Sequence, residues 1–137
     1  MIEIASGQPI SSGFSFDISY DAALDHIVPG YKIVNIGIKN TSMDSFLLNV
    51  SSDHWVVLDQ AEHSYEATMN LKESDPQVWA TLSPEIQGAF TFPLVIPGGV
   101  SQALDLFVKS DADLNGFHAV LFRSSFLKHK IKILNVQ

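Results

Sequence analysis

Alternation with a period of two residues recurs along the chain, and it narrows the possible folds more than any other feature. In FSFDISY, residues 14–20, the apolar side chains are Phe14, Phe16, Ile18 and Tyr20, with Ser15, Asp17 and Ser19 between them. Successive side chains of a strand point to opposite faces, so this pattern gives one buried face and one wet face. YKIVNIGIKN, residues 31–40, puts Val34, Ile36 and Ile38 on one side and Tyr31, Ile33 and Asn35 on the other. Further strands are predicted in SFLLNV (45–50), HWVVLDQ (54–60) and HSYEATMNL (63–71), the last with Tyr65, Ala67 and Met69 inward. GAFTFPLVIP (88–97), SQALDLFVKS (101–110), GFHAVLFRS (116–124) and FLKHKIKILNV (126–136) complete the series.

Turn formers separate these runs: Pro29-Gly30, Asn40-Thr41-Ser42, Ser51-Ser52-Asp53, Pro97-Gly98-Gly99 and Asn115-Gly116. Parallel strands in a βαβ order need long crossover helices, and no segment here spells one. Two short helical turns are expected, at DAALDH (21–26) and at SDPQVWA (74–80), where Asp75 caps and Pro76 opens the helix. The expectation is an all-β chain, an antiparallel sandwich of about eight or nine strands. With 137 residues it forms one domain, 1–137, large enough to bury a core without staples.

The chain has no cysteine, which removes disulfides, thiolate metal sites and cysteine nucleophiles. Its net charge of −7 disfavours nucleic acid and anionic membranes as partners. The charge is uneven. Residues 1–113 hold four basic against fifteen acidic residues, net −11, and residues 114–137 carry +4. No run reaches the roughly 18 to 20 apolar residues of a membrane helix, so membrane insertion is not expected. MIEIASGQPI lacks a basic start and an apolar core. The chain as given therefore reads as cytoplasmic, and as extracytoplasmic if a leader has been removed.

Three stretches resemble a known family: VNIGIKNTS (34–42), HWVVLDQAEHSYEA (54–67) and LVIPGGVSQALDLFV (94–108). Over about residues 31–122 they are similar to the secreted immunoglobulin-like β-sandwich family of bacterial immunoprotective antigens and surface lipoproteins of unknown function. The resemblance implies an immunoglobulin-like sandwich used for binding or structure outside the cytoplasm. It carries over no catalytic residues.

Candidate sites are few. Asn40-Thr41-Ser42 and Asn49-Val50-Ser51 match N-glycosylation acceptors, but Asn and Ser here read first as corner formers. Asp111, Asp113 and Asn115, followed by Gly116, spell the opening of a calcium loop. Position twelve of that loop is Phe122 where a bidentate Glu is required, and a strand follows where a helix should, so a hairpin turn is the plainer reading. His26, His54, His63, His118 and His129 lack compact metal spacing. His54 and His63 would face each other across the 54–69 hairpin, with Asp59 or Glu62 completing a weak zinc site.

GVSQA (99–103) approaches a nucleophile elbow at Ser101, but Ala103 replaces its second glycine. Lys128, Lys130 and Lys132 share one face of the last strand, either to grip an anionic partner or to guard a sheet edge. Trp55 reads as core. Trp79, in the long 72–88 connection, reads as a contact for a ligand or partner. The function expected is a non-enzymatic binding module without a cofactor, contacting a protein partner or its own copy through Trp79, Lys128, Lys130 and Lys132. Second is a calcium- or zinc-dependent module at Asp111–Gly116, and third a small hydrolase.

Overall fold

Ten strands and three short helices follow one another along the described residues, 1–10 and 13–136, of the computed structural model. They are β1 (Ile2–Ala5), β2 (Phe14–Tyr20), β3 (Tyr31–Asn40), β4 (Phe46–Leu47), β5 (His54–Leu58) and β6 (Ser64–Thr68). Next come α1 (Leu71–Ser74), α2 (Pro76–Thr81) and α3 (Pro84–Ala89), then β7 (Val95–Ile96), β8 (Ser101–Lys109), β9 (Ala119–Ser124) and β10 (His129–Leu134). Eight strands form one sheet in the order β1-β10-β9-β5-β6-β8-β3-β2, and β4 pairs with β7 in a second, two-stranded sheet. The chain is all-β.

One pairing departs from the expected antiparallel order. β1 runs parallel to β10, with Ile2 opposite Ile131 and Ile4 opposite Ile133. IEIA was too short a run to register as a strand, yet it follows the same alternation and buries Ile4. β10 is consequently an interior strand, flanked by β1 and β9. Its lysines do not guard an edge.

The sheet curls. Phe16 on β2 meets Phe122 on β9 edge to face, ring centres 5.8 Å apart, although four strands of the sheet lie between theirs. Beyond β1, Gly7 donates its N–H to the Phe16 carbonyl (2.8 Å) and the Ile18 N–H reaches the Ser6 hydroxyl (2.9 Å), so the two sheet edges meet there. The enclosed core takes Phe14, Phe16 and Ile18 of β2, Val34, Ile36 and Ile38 of β3, and the inward residues of β5, β8, β9 and β10. Trp55 is core as expected, stacked on Phe122 at 3.8 Å with 9° between the planes. Burying one such side chain is worth about 3 kcal/mol.

β3 has a second buried face. Tyr31 and Ile33, with Phe107 of β8, pack against Val28, Leu71, Leu82 and Phe90. The 72–88 connection is therefore a helical cover over the outside of the sheet. The start signal at Asp75-Pro76 holds: the Asp75 carboxylate accepts the Val78 N–H at 3.2 Å and Pro76 opens α2. The same device recurs at Ser83-Pro84, where the Ser83 hydroxyl accepts the Ile86 N–H (3.3 Å) and opens α3. Gly88 and Ala89, expected at the head of a strand, end this helix, and strand pairing resumes only at Val95. The 21–26 segment forms one 3-10 turn, Ala22–Leu24, capped by Asp21.

The polar stop after β3 is a corner. Asn40 is 1% exposed and its amide is saturated. Nδ2 donates to the carbonyls of Asp44 (2.7 Å) and Ile96 (2.9 Å), and Oδ1 accepts the N–H (3.0 Å) and hydroxyl (2.7 Å) of Ser42. These bonds tie the small sheet to the large one. Gly98 packs against the same corner: a Cβ there would sit 2.7 Å from the Ser42 carbonyl oxygen. The Gly98-Gly99 pair thus serves close backbone packing.

Candidate functional site

A hollow of about 440 Å³ opens where the helical cover meets the small sheet. Trp79 of α2, Phe90, Phe92, Leu94, Met69 and Val50 supply its apolar wall, and Asn70, Lys72 and Gln87 its polar groups. Helix α2 is positioned by Tyr31, whose hydroxyl donates to Asp75 at 2.8 Å. Burial, then the bond to Asp75 and its charge, push the Tyr31 hydroxyl up to about 12. Asp75 moves the other way: the Tyr31 bond, the Val78 N–H and Lys109 hold it below the ordinary carboxylate value, against burial. Gln87 of α3 donates to the Trp79 carbonyl at 2.9 Å, locking the two helices.

An adjoining hollow shares Leu94 and is lined by Leu47, Leu48, Val95, Ser125 and Phe126. Leu47 and Val95 are cross-strand partners of β4 and β7, turned outward because Phe46 and Ile96 turn inward. Nine large apolar side chains are exposed among the described residues, and five of them, Leu47, Val50, Leu94, Val95 and Phe126, line these two hollows. These five therefore cluster around one end of the molecule, while the other four are exposed elsewhere. Trp79 was legible from its place in a long connection. The other members did not stand out: Leu47 and Val95 lie in two-residue strands whose outward positions only the small sheet defines, and Val50, Leu94 and Phe126 lie in turns and bends outside the strands.

The lysines divide into two places. Lys128 and Lys130 line a third hollow with Arg123, His129, Ser52 and Ser125. Lys132 is half-buried and sits 3.9 Å from the Glu62 carboxylate, with His118 3.4 Å from the same group. Lys128 belongs to the β9–β10 turn and adopts φ 57°, a left-handed conformation that costs a side-chain-bearing residue on the order of 1 kcal/mol. Arg123, which carried no motif, becomes a member because the hairpin places it directly opposite Lys130.

His54 and His63 do not converge. His54 opens β5, while the His63 carbonyl accepts the Asp59 N–H at the far end of the hairpin, about 16 Å away at strand rise. Each has its own carboxylate: His54 Nε2 lies 2.6 Å from Glu66, and His63 Nδ1 lies 3.1 Å from Asp59. Burial alone would raise the Asp59 carboxyl, but the His63 N–H and imidazole and the Ala61 N–H outweigh it and hold the group low. The Tyr65 hydroxyl completes this cluster at 3.3 Å.

Asp111, Asp113 and Asn115 are exposed and alternate with buried Ala112 and Leu114, which pin the loop to the core. Asp113 accepts the Asn115 N–H at 3.1 Å in a local turn, and it borders a hollow of about 330 Å³ together with Asp59. Among the described residues, no group of three His, Asp or Glu side chains is placed to hold a metal ion. Ser101 is the first residue of β8 and pairs with Lys39, so a continuous strand follows it in place of a strand-to-helix turn. No helix among the described residues is long and apolar enough to cross a membrane.

No protein-family model matches the chain, and no curated protein matches it. Among solved structures it is similar to the crystal structure of the yjhA protein from Bacillus subtilis, a structural-genomics target. The TM-score is 0.50 at 13% sequence identity, over 97% of this chain and 99% of that one. At this identity the likeness is one of fold, and it runs the length of both chains.

Proposed function

We propose that this chain is a non-enzymatic binding module that takes an apolar segment of a protein partner at the β4–β7 end. The observation that carries the reading is the gathering of Leu47, Val50, Leu94, Val95 and Phe126 around two adjoining hollows, with Trp79 in the deeper wall. A volume of about 440 Å³ accommodates a few side chains of an inserted segment, and Asn70, Lys72 and Gln87 at its wall would fix their orientation. Tryptophan in such a wall supplies large rigid contact area at low entropic cost.

The finer architecture goes with this reading. The β2–β3–β8 part of the sheet faces the β5–β9–β10 part across the Phe16–Phe122 contact, which supports an immunoglobulin-like sandwich. The stretches resembling the secreted immunoglobulin-like family fall on β3, on the β5–β6 hairpin and on the β7–β8 turn and strand. An extracytoplasmic recognition module is the role that resemblance implies.

The test is selection of a random peptide library on the purified protein. Peptides rich in apolar side chains are expected, with binding at least tenfold weaker on Leu94→Lys or Val95→Lys and unchanged on Ser101→Ala. Failure to select any peptide, or selection indifferent to both lysine variants, overturns the reading. Hydrolysis of generic esters that is lost in Ser101→Ala would favour the hydrolase. A cation-dependent module is the second reading, favoured by Asp113 and Asp59 sharing one hollow. It requires calcium or zinc to raise the melting temperature saturably.

A further inference from the structure

The β9–β10 turn concentrates positive charge in a chain that is otherwise acidic. Arg123 and Lys130 are directly opposite each other across the hairpin, and both are exposed. Like charges so placed repel, and a sheet normally avoids them. Lys128, one turn-residue before β10, and His129 border the same hollow of about 350 Å³.

Among the described residues no carboxylate lies within ion-pair distance of them. Asp53 spends both oxygens on the loop: Oδ1 accepts the N–H (2.9 Å) and hydroxyl (2.8 Å) of Ser125, and Oδ2 accepts the Asn49 N–H (2.8 Å). Glu66 is held by His54. Among the described residues the ion pairs are His54–Glu66, His63–Asp59, His118–Glu62 and Lys132–Glu62, so Arg123, Lys128 and Lys130 enter none.

The Lys128 backbone adds a second, independent sign. Its left-handed φ of 57° is a position where glycine or asparagine costs less, and a lysine stands there at the edge of the hollow at the expense of stability. Backbone strain of this kind gathers at ligand clamps.

We propose that Arg123, Lys128 and Lys130 form an oxyanion site for a phosphoryl group, with His129 at its rim. A planar guanidinium binds two oxygens of a phosphate side by side, and two ammonium groups supply point charges to the third. The open hollow leaves the ester side of a phosphate monoester in solvent or directed toward the apolar surface that Ser125 adjoins. This site stands on the hairpin register and the charge census, apart from the apolar docking reading, and either holds if the other fails.

The experiment is a calorimetric and thermal-shift titration of the full chain with inorganic phosphate and with phenyl phosphate, against chloride and acetate at matched ionic strength. Saturable binding of phosphate with no response to chloride or acetate is expected. Equal affinity for both phosphates identifies the free ion as sufficient, and tighter binding of phenyl phosphate identifies an ester ligand; each supports the site. Arg123→Gln and Lys130→Gln should each weaken binding at least tenfold, and Lys132→Gln should leave it unchanged. Lys128→Gly should raise the melting temperature of the unliganded protein while weakening phosphate binding, a pairing that a merely structural residue would not give. Absence of saturable binding at matched ionic strength, or binding retained in the Arg123→Gln, Lys130→Gln double variant, overturns the proposal.

Discussion

The two faces of β3 bury comparable side chains against very different partners. On the inner face, Val34, Ile36 and Ile38 meet residues of strands that are themselves in the sheet, such as Leu104, Leu106 and Phe122. On the outer face, Tyr31 and Ile33 meet Leu71 of α1 and the residues that close α2 and α3, Leu82 and Phe90, from three helices of four to six residues. Helices that short do not persist alone, so the cover is held by packing and by a few polar ties rather than by its own hydrogen bonds. The inner core makes the fold, and the outer one holds the helical wall of the hollow beside Trp79.

The sharpest break in that comparison is Phe122→Ala. It removes the ring stacked on Trp55 and touching Phe16, and should cost about 3–5 kcal/mol, seen as cooperative loss of the whole transition in chemical denaturation. Next comes Leu82→Ala, at about 2–3 kcal/mol locally. Amide exchange should rise across residues 71–90 while β8, β9 and β10 stay protected. If instead both variants unfolded the chain as one unit, the cover would belong to the core.

The smallest effect is a pH response confined to the cover. Asp75 has a depressed pKa in the folded chain, from the Tyr31 bond first and the Val78 N–H second. Its contribution is therefore present above the ordinary carboxylate value and lost as pH falls through the lower, folded value. Tyr31 is raised from 10.0 to about 12, so its contribution is complete below pH 10 and lost as pH climbs through 12. Trp79 fluorescence should shift in both windows, and Tyr31→Phe should remove the alkaline shift and weaken the acid one. A shift at pH 10–12 that survives Tyr31→Phe would assign it elsewhere, for instance to Tyr20, which burial and Asp25 also push up to about 12.

Much of the inner core could be read directly from residue order. Phe14, Phe16 and Ile18 fall inward because strand geometry leaves alternate side chains no other option. The same rule turned Tyr65, Ala67 and Met69 inward, and Trp55 read as core from its place in a strand. It misread Phe90 and Phe92 because an apolar alternation interrupted by Pro93 resembles a strand, while the helix start at Ser83-Pro84 went unweighed. It also missed β1, since four residues carry too little periodicity to stand out.

The candidate surfaces were less legible. Trp79, Lys128 and Lys130 stood out by residue type and location, whereas Arg123 acquires meaning only from the four-residue turn that sets it opposite Lys130. Counting hairpin register would have found that pair; nothing in the sequence would have gathered Val50, Leu94 and Phe126.

The chain's own order of residues determined that it would be built of strands, where they would turn, and that Asn40 would close a corner. Those choices depend on neighbours two to four positions apart, where φ, ψ and side-chain direction are coupled. Tertiary structure alone decided that β10 would be flanked by β1 rather than left at an edge. It also decided that Lys132 would leave its fellow lysines for Glu62 and that the exposed apolar residues would meet around Leu94. Such contacts join positions tens of residues apart, and burial of the whole sheet, acting at no single place in the sequence, selects them.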